Sequence, residues 1–153
     1  MPRPILTMSF QSPRLLSVLA VLVALPFAGC RRDEAQLPVH PVTGKITFDG
    51  QAPAGAQIVL HPQGGPATEV KVAPLGTVRT DGTFKISTYG DGDGAPAGEY
   101  AATVQWFKVE TGEGGSGRGP NVLPGKYASA EATPIKISVK AGINEVPPIT
   151  IVR

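Results

Sequence analysis

Cysteine occurs once in this sequence, histidine twice and tryptophan once. One cysteine cannot form an internal disulfide, so no disulfide framework supports the fold. Aromatic residues are only 6% and charged residues only 17% of the 153. No apolar run reaches the roughly 20 residues of a membrane-spanning helix, and no helical periodicity of useful length appears. An excess of one charge is also missing. The formal net charge is +2, and without Arg3 and Arg14 the remaining twelve cations match the twelve carboxylates. A neutral balance removes the electrostatic case for nucleic acid and for a polybasic route to a membrane. What is abundant is glycine (19) and proline (16), below the level of a disordered chain. With 41% hydrophobic residues, this composition suits one loop-rich β domain.

The first thirty residues are laid out as a signal peptide. Arg3 and Arg14 form a basic start, Leu15 to Leu25 is uncharged and apolar, and Pro26-Phe27-Ala28-Gly29 leads to Cys30. Leu15 to Gly29 would reach about 22 Å as a helix at ~1.5 Å per residue, too short to span a bilayer. Cys30 follows two small residues at the end of the apolar run. A free thiol is the alternative, but Ala28-Gly29-Cys30 resembles the bacterial lipobox, where cleavage between Gly29 and Cys30 exposes a cysteine for lipid modification. Phe27 stands where leucine is usual. The resemblance implies a lipoprotein held in the cell envelope through Cys30, on the periplasmic or the surface face. Each buried methylene contributes ~0.8 kcal/mol, so a cysteine with two or three acyl chains would not leave the membrane readily. The expected organisation is a signal peptide over 1–29, lipidated cysteine and tether over 30–38, and a β-sandwich over 39–153.

Strand signals repeat from Leu37 onward. Val42–Phe48 alternates, with Val42, Ile46 and Phe48 on one face, and Asp49-Gly50 closes it as a turn. Ala56–His61 places Ala56, Ile58 and Leu60 on one face. Glu69–Val72 is expected to be a short edge strand. Gly76–Thr80, Asp81-Gly82 and Thr83–Tyr89 read as a hairpin. Glu99–Val109 places Tyr100, Ala102, Val104 and Trp106 together, as a central core strand. Glu110–Pro120 is glycine-rich and expected to be a mobile loop. Ile135–Val139 and Ile149–Val152 complete about seven strands, the second limited at its start by Pro147-Pro148. The pattern predicts an all-β sandwich or open barrel.

Val42 to Leu60 resembles the opening of carboxypeptidase-regulatory-like domains, and Thr80 to Ile86 (TDGTFKI) resembles their second hairpin. Gly92 to Tyr100, Leu123 to Tyr127 and Thr133 to Asn144 are similar to a bacterial lipoprotein branch of that group. The resemblance covers most of 39–152. It implies a seven-stranded transthyretin-like, Ig-like β-sandwich, and no established activity. Hydroxyisourate hydrolases share that fold; their Tyr-Arg-Gly-Ser motif does not occur here, and only His40 and Arg79 would be available to such a site.

The remaining candidates for chemistry are sparse. Asp91-Gly92-Asp93-Gly94 begins like a calcium loop, but Ala102 stands where the bidentate glutamate would fall and Pro96 where glycine is required. A polar turn is the simpler reading, with Asp91 and Asp93 kept as candidate ligand-binding residues. Gly112 to Gly117 satisfies G-x-G-x-x-G without the strand and helix that a dinucleotide site needs. His40 and His61 are too few for zinc once Cys30 is committed to lipid. Tyr100 and Trp106 suit a sugar platform or the core, and their shared face favours the core. Phe107, on the other face, is the candidate exposed aromatic. No catalytic residues, metal or cofactor are expected. The leading reading is a non-catalytic envelope module with a structural or protein-interaction role, its partner an envelope protein or glycan; a carbohydrate- or small-ligand-binding domain comes second, and a hydrolase third. Cys30→Ser should abolish metabolic labelling by palmitate. Undiminished labelling of that variant would overturn the lipoprotein reading.

Overall fold

The computed structural model describes residues 36–69, 72–112 and 115–153. The signal peptide, the cleavage site at Gly29 and the lipidation site at Cys30 lie outside the described residues. The strands in chain order are β1 (Val39–His40), β2 (Val42–Phe48), β3 (Gln57–Pro62), β4 (Leu75–Thr77), β5 (Thr83–Lys85) and β6 (Ala95–Pro96), then β7 (Gly98–Gln105), β8 (Phe107–Gly112), β9 (Gly115–Asn121), β10 (Lys136–Val139), β11 (Asn144–Glu145) and β12 (Ile149–Ile151). Two 3₁₀ turns, Pro66–Glu69 and Gly125–Ala128, interrupt them.

Two sheets build an all-β sandwich. One runs β10-β7-β3-β4, antiparallel throughout. In the other, β2 is central, with antiparallel β5 on one side and parallel β11 and β12 on the opposite side. β11 and β12 lie along the same edge of β2, separated by Pro147-Pro148, whose missing N–H groups open the ladder there. Counted as one interrupted strand, they bring the two sheets to the seven strand positions expected. The β1–β6 pair and the β8–β9 ribbon are additional.

Strand periodicity places the core between the sheets. Val42, Ile46 and Phe48 of β2, Phe84 of β5 and Ile151 of β12 meet Ile58 and Leu60 of β3, Tyr100, Ala102 and Val104 of β7, and Ile137 and Val139 of β10. Each fully buried aliphatic side chain here contributes about 2 kcal/mol. Gly44 gives Phe84 its room: a β-carbon at position 44 would lie 2.6 Å from the Phe84 ring. Tyr100 is 1% exposed and donates its hydroxyl to the Pro96 carbonyl at 2.8 Å. Burial pushes its phenol up to about 12, so it remains a donor at any ordinary pH. Ala101 and Thr103, on the opposite face of β7, are buried as well. β7 therefore does not show the one-sided alternation of an exposed sheet.

Four sequence expectations are corrected. Glu69 belongs to a 3₁₀ turn, closed by the Thr68 amide and hydroxyl on the Gly65 carbonyl, rather than to an edge strand. The Asp81-Gly82 turn forms, but its arms do not make one ladder: β4 pairs with β3 in the first sheet and β5 with β2 in the second. The arms touch through the Leu75–Ser87 bridge. Val78, Phe84 and Ile86 all need burial, and diverging arms let both sheets supply it. Glu99–Val109 is not continuous. Trp106 interrupts it, its amide donating to Asn121 Oδ1 and its indole N–H to the Ala54 carbonyl, both at 2.9 Å. The glycine-rich stretch is also no simple loop, because β8 and β9 pair antiparallel from Phe107–Asn121 to Gly112–Gly115.

One glycine joins the start of the domain to the sandwich. Gly94 has φ +100°, and a β-carbon there would overlap the His40 carbonyl. Gly94→Ala should cost roughly 3 kcal/mol, combining left-handed strain with overpacking. Gly125→Ala, at a site open to solvent, should cost well under 1 kcal/mol in magnitude as an ordinary surface change. Urea melts of both variants check this, and equal midpoints would refute it.

Candidate functional site

Polar side chains near the turns act mainly on the backbone. Asp93 accepts the Thr88 amide on Oδ1 at 2.7 Å, and those of Tyr89 and Gly90 on Oδ2 at 3.0 and 2.8 Å. Desolvation opposes ionisation of this carboxyl, but the three amides together outweigh it and hold it below the usual 3.8. Asp81 accepts the Thr83 hydroxyl at 2.7 Å and amide at 2.9 Å, which hold its carboxyl low, helped by nearby Arg79. Asp91 is exposed at the tip of the Tyr89–Gly94 loop. The Asp91–Asp93 segment is thus braced as a turn, with both Asp93 oxygens engaged.

The histidines lie apart in function. His40 Nδ1 accepts the Gly142 amide at 3.2 Å. His61 Nε2 lies 2.9 Å from Thr103 Oγ1 on the outer side of the β3–β7 ladder. Glu131, held low chiefly by the Ser129 hydroxyl, also senses the His61 ring. Thr103 is only 6% exposed. Among the described residues no three His, Cys, Asp or Glu side chains gather as metal ligands.

Among the described residues, two of the surface hollows collect the groups left to consider. One, of about 330 Å³, is lined by Gly55, Gln57, Phe107, Lys108, Val109, Gly117 and Arg118. Phe107 sits here, but the Arg118 guanidinium stacks 3.5 Å from its ring centroid and covers that face. Neither Asp91 nor Asp93 lines this hollow, so the three candidate binding residues are not brought together. Trp106, half-buried, makes a T-shaped pair with Phe48, centroids 6.2 Å apart, with Lys108 Nζ 5.4 Å from its own centroid.

The second hollow, about 460 Å³, lies beside β2 and β5. Lys45, Arg79 and Lys85 line it with Glu145, over Thr43, Thr83 and Phe84. The register explains the convergence. Thr43 faces Lys85 and Lys45 faces Thr83, so the two lysines stand diagonally on one face, while Glu145 beside Thr43 carries that face onto β11. Arg79 closes the end, its amide bonded to the Thr83 carbonyl at 2.8 Å. Sequence reading missed this trio, because residues 45, 79 and 85 become neighbours only once the β2–β5 register is known. The signal present in the sequence was the placement of both lysines at polar positions of alternating strands. Of the pair considered for a hydrolase, Arg79 lines this hollow and His40 does not.

No known family model matches this chain, and no curated protein matches it in sequence. It is similar to solved structures in part of its strand arrangement. One is a DUF3823 family protein from Parabacteroides merdae, at 21% identity and a TM-score of 0.41, covering 76% of this chain. This chain spans about half the length of that protein, 47%. Another is a protein from Pseudomonas aeruginosa for which carbohydrate binding has been suggested, at 10% identity and TM-score 0.40, covering 78% of this chain and 91% of that one. A third is a 9R-lipoxygenase from Cyanothece, at 14% and 0.39, covering 74% of this chain and 16% of the enzyme. At these scores the likenesses carry no functional argument.

Replacing Asp93 by Ala should destabilise the domain by about 1–2 kcal/mol, at the low end for charged hydrogen bonds because water reaches the loop. The native carboxyl titrates below its unfolded value. Its contribution is therefore complete above pH ~4 and is lost as pH falls through the lower folded value. Urea midpoints of native and Asp93→Ala protein should converge on acidification; a constant gap from pH 7 to 2 would refute this role.

Proposed function

We propose that this chain is a non-catalytic, lipid-anchored module of the cell envelope, whose sandwich engages an acidic segment of an envelope protein through the Lys45–Arg79–Lys85 hollow. The carrying observation is the convergence of three cations on one concave face, with Glu145 in its lining and Asp81 near Arg79, in a chain whose charges balance once Arg3 and Arg14 are set aside. Of the acids that the sequence offered for ligand chemistry, Asp93 braces its own turn with both oxygens and Asp91 stands exposed at the loop tip, apart from this hollow. The hydroxyl beside an imidazole, Thr103, is only 6% exposed and lines neither of these two hollows. Anchoring through Cys30 rests on the lipobox resemblance, and the modular reading on the resemblance to carboxypeptidase-regulatory-like domains.

The carbohydrate reading is supported less well. A sugar stacks on an open aromatic face, and Arg118 occupies a face of Phe107. Trp106 is held in a T-shaped pair with Phe48, gives its N–H to Ala54 and has Lys108 Nζ over its ring.

A photo-crosslinking amino acid at position 43, in the hollow, should capture a partner in intact cells, and one at position 109 should not capture the same partner. Reversing Lys45, Arg79 and Lys85 to Glu should weaken capture roughly tenfold, three exposed pairs at about 0.5 kcal/mol each. Added salt should weaken it likewise, since exposed charges are screened over ~10 Å. Capture indifferent to the reversals would overturn the proposal, as would ester hydrolysis lost on His61→Ala.

A further inference from the structure

Among the described residues no large apolar side chain is more exposed than Ile143, at 88%. Its loop is firmly braced. Asn144 Oδ1 accepts the Lys140 amide at 2.9 Å, and Asn144 Nδ2 donates to the carbonyls of Lys140 at 2.9 Å and Gly142 at 3.0 Å. The Asn144 amide donates to the Pro41 carbonyl at 2.9 Å, and the Gly142 amide to His40 Nδ1 at 3.2 Å. Gly142, at φ +103°, turns the chain so that Ile143 stands at the tip. A loop tied down at both ends and at its middle cannot fold Ile143 back onto the domain.

The place of this loop matters. It is fastened to His40 and Pro41, at the corner where the chain enters the sandwich. On the same corner, the Leu37 amide donates to the Tyr89 hydroxyl at 3.2 Å, and Tyr89 is 36% exposed. Seven residue steps separate Leu37 from Cys30. Whatever their path, they span at most about 25 Å at ~3.3–3.6 Å per residue.

We infer that Ile143 and Tyr89 form a membrane-facing foot, with Ile143 entering the headgroup–acyl boundary and Tyr89 lying at headgroup level. The inference rests on the reading of Cys30 as the lipid anchor. The occupant is the bilayer that holds that anchor, because the short tether keeps this corner near its surface. Tethering makes the contact intramolecular, with an effective concentration in the millimolar range; Ile143, worth about 2 kcal/mol on burial, then makes a transient contact that Tyr89 reinforces. An aromatic ring with a polar tip suits the interface beside it. Lys140 and Asp91, both exposed on the two loops concerned, carry opposite charges. The contact is therefore apolar in origin and indifferent to lipid charge.

The test uses the full chain purified from membranes and reconstituted into phosphatidylcholine vesicles. A fluorescent amino acid is placed at position 143 or, for comparison, at 109, where Val109 is 74% exposed on the β8–β9 ribbon. Quenching by doxyl-labelled lipid should be several-fold stronger at 143 than at 109. A probe at Ala141 should be quenched too, and Ile143→Asp should bring it down to the level of 109; at 88% exposure that substitution leaves the core untouched. Mass spectrometry of Cys30 reads the anchoring separately. If Cys30 is unacylated, the apolar residues 15–25 still attach the chain to the vesicle, and quenching at 143 would overturn the anchoring reading alone. Acylated Cys30 with equal quenching at 143 and 109 overturns the foot alone, and failure of both readouts overturns both. Shielding of 143 in native membranes but not in protein-free vesicles would assign the loop to a protein partner and overturn the inference.

Discussion

The second sheet depends on one strand. β5, β11 and β12 each hydrogen-bond to β2 and not to one another. β2 serves neighbours on both edges through its alternating backbone groups, and its two faces are unlike. Val42, Ile46 and Phe48 enter the core, Gly44 makes room for Phe84, and Thr43 and Lys45 stay outside. A slip of one residue would turn every one of these side chains to the wrong face. That register also fixes the cationic hollow, since Lys85 reaches it only by standing opposite Thr43. The fold and the proposed recognition surface thus share a single constraint.

Much of this was readable from local pattern. The alternation of Val42–Phe48 and the buried set Tyr100, Ala102 and Val104 followed from period-2 hydrophobicity. The sandwich and its seven strand positions followed from turn residues between short apolar runs. What was not readable depended on pairing between distant segments. Trp106 looked like the next inward residue of β7. Its bonds to Asn121 and Ala54 break the strand there, and no local pattern announces such partners. The Asp81-Gly82 turn was plain, but nothing near it tells that its arms join different sheets. Glycine-rich sequence around residue 115 suggested a loop because β-propensity counts side chains, whereas the β8–β9 ribbon is paired through its backbone.

The candidate site shows the same division. Asp91, Asp93 and Phe107 were chosen by residue type, and type alone does not distinguish a ligand group from a brace. Asp93 turned inward to three amides, and Phe107 accepted a guanidinium. Lys45, Arg79 and Lys85 are individually ordinary surface cations. Only their convergence gives them significance, and convergence is a property of the fold.

The parallel pairing of β2 with β12 also bears on how the chain folds. Ile46 meets Ile149 across about 100 residues, whereas Gly44 meets Phe84 across about 40. The longer closure costs only about 1 kcal/mol more in chain entropy, so the finished domain is scarcely penalised. Folding speed is more sensitive, because non-local ladders are slow to find. The first sheet closes over shorter spans, β3 to β7 and β7 to β10. Until β12 arrives, that sheet has no complete second layer to cover its inner face. The topology therefore concentrates cooperativity in one late joining event: the sandwich closes as a whole rather than growing strand by strand.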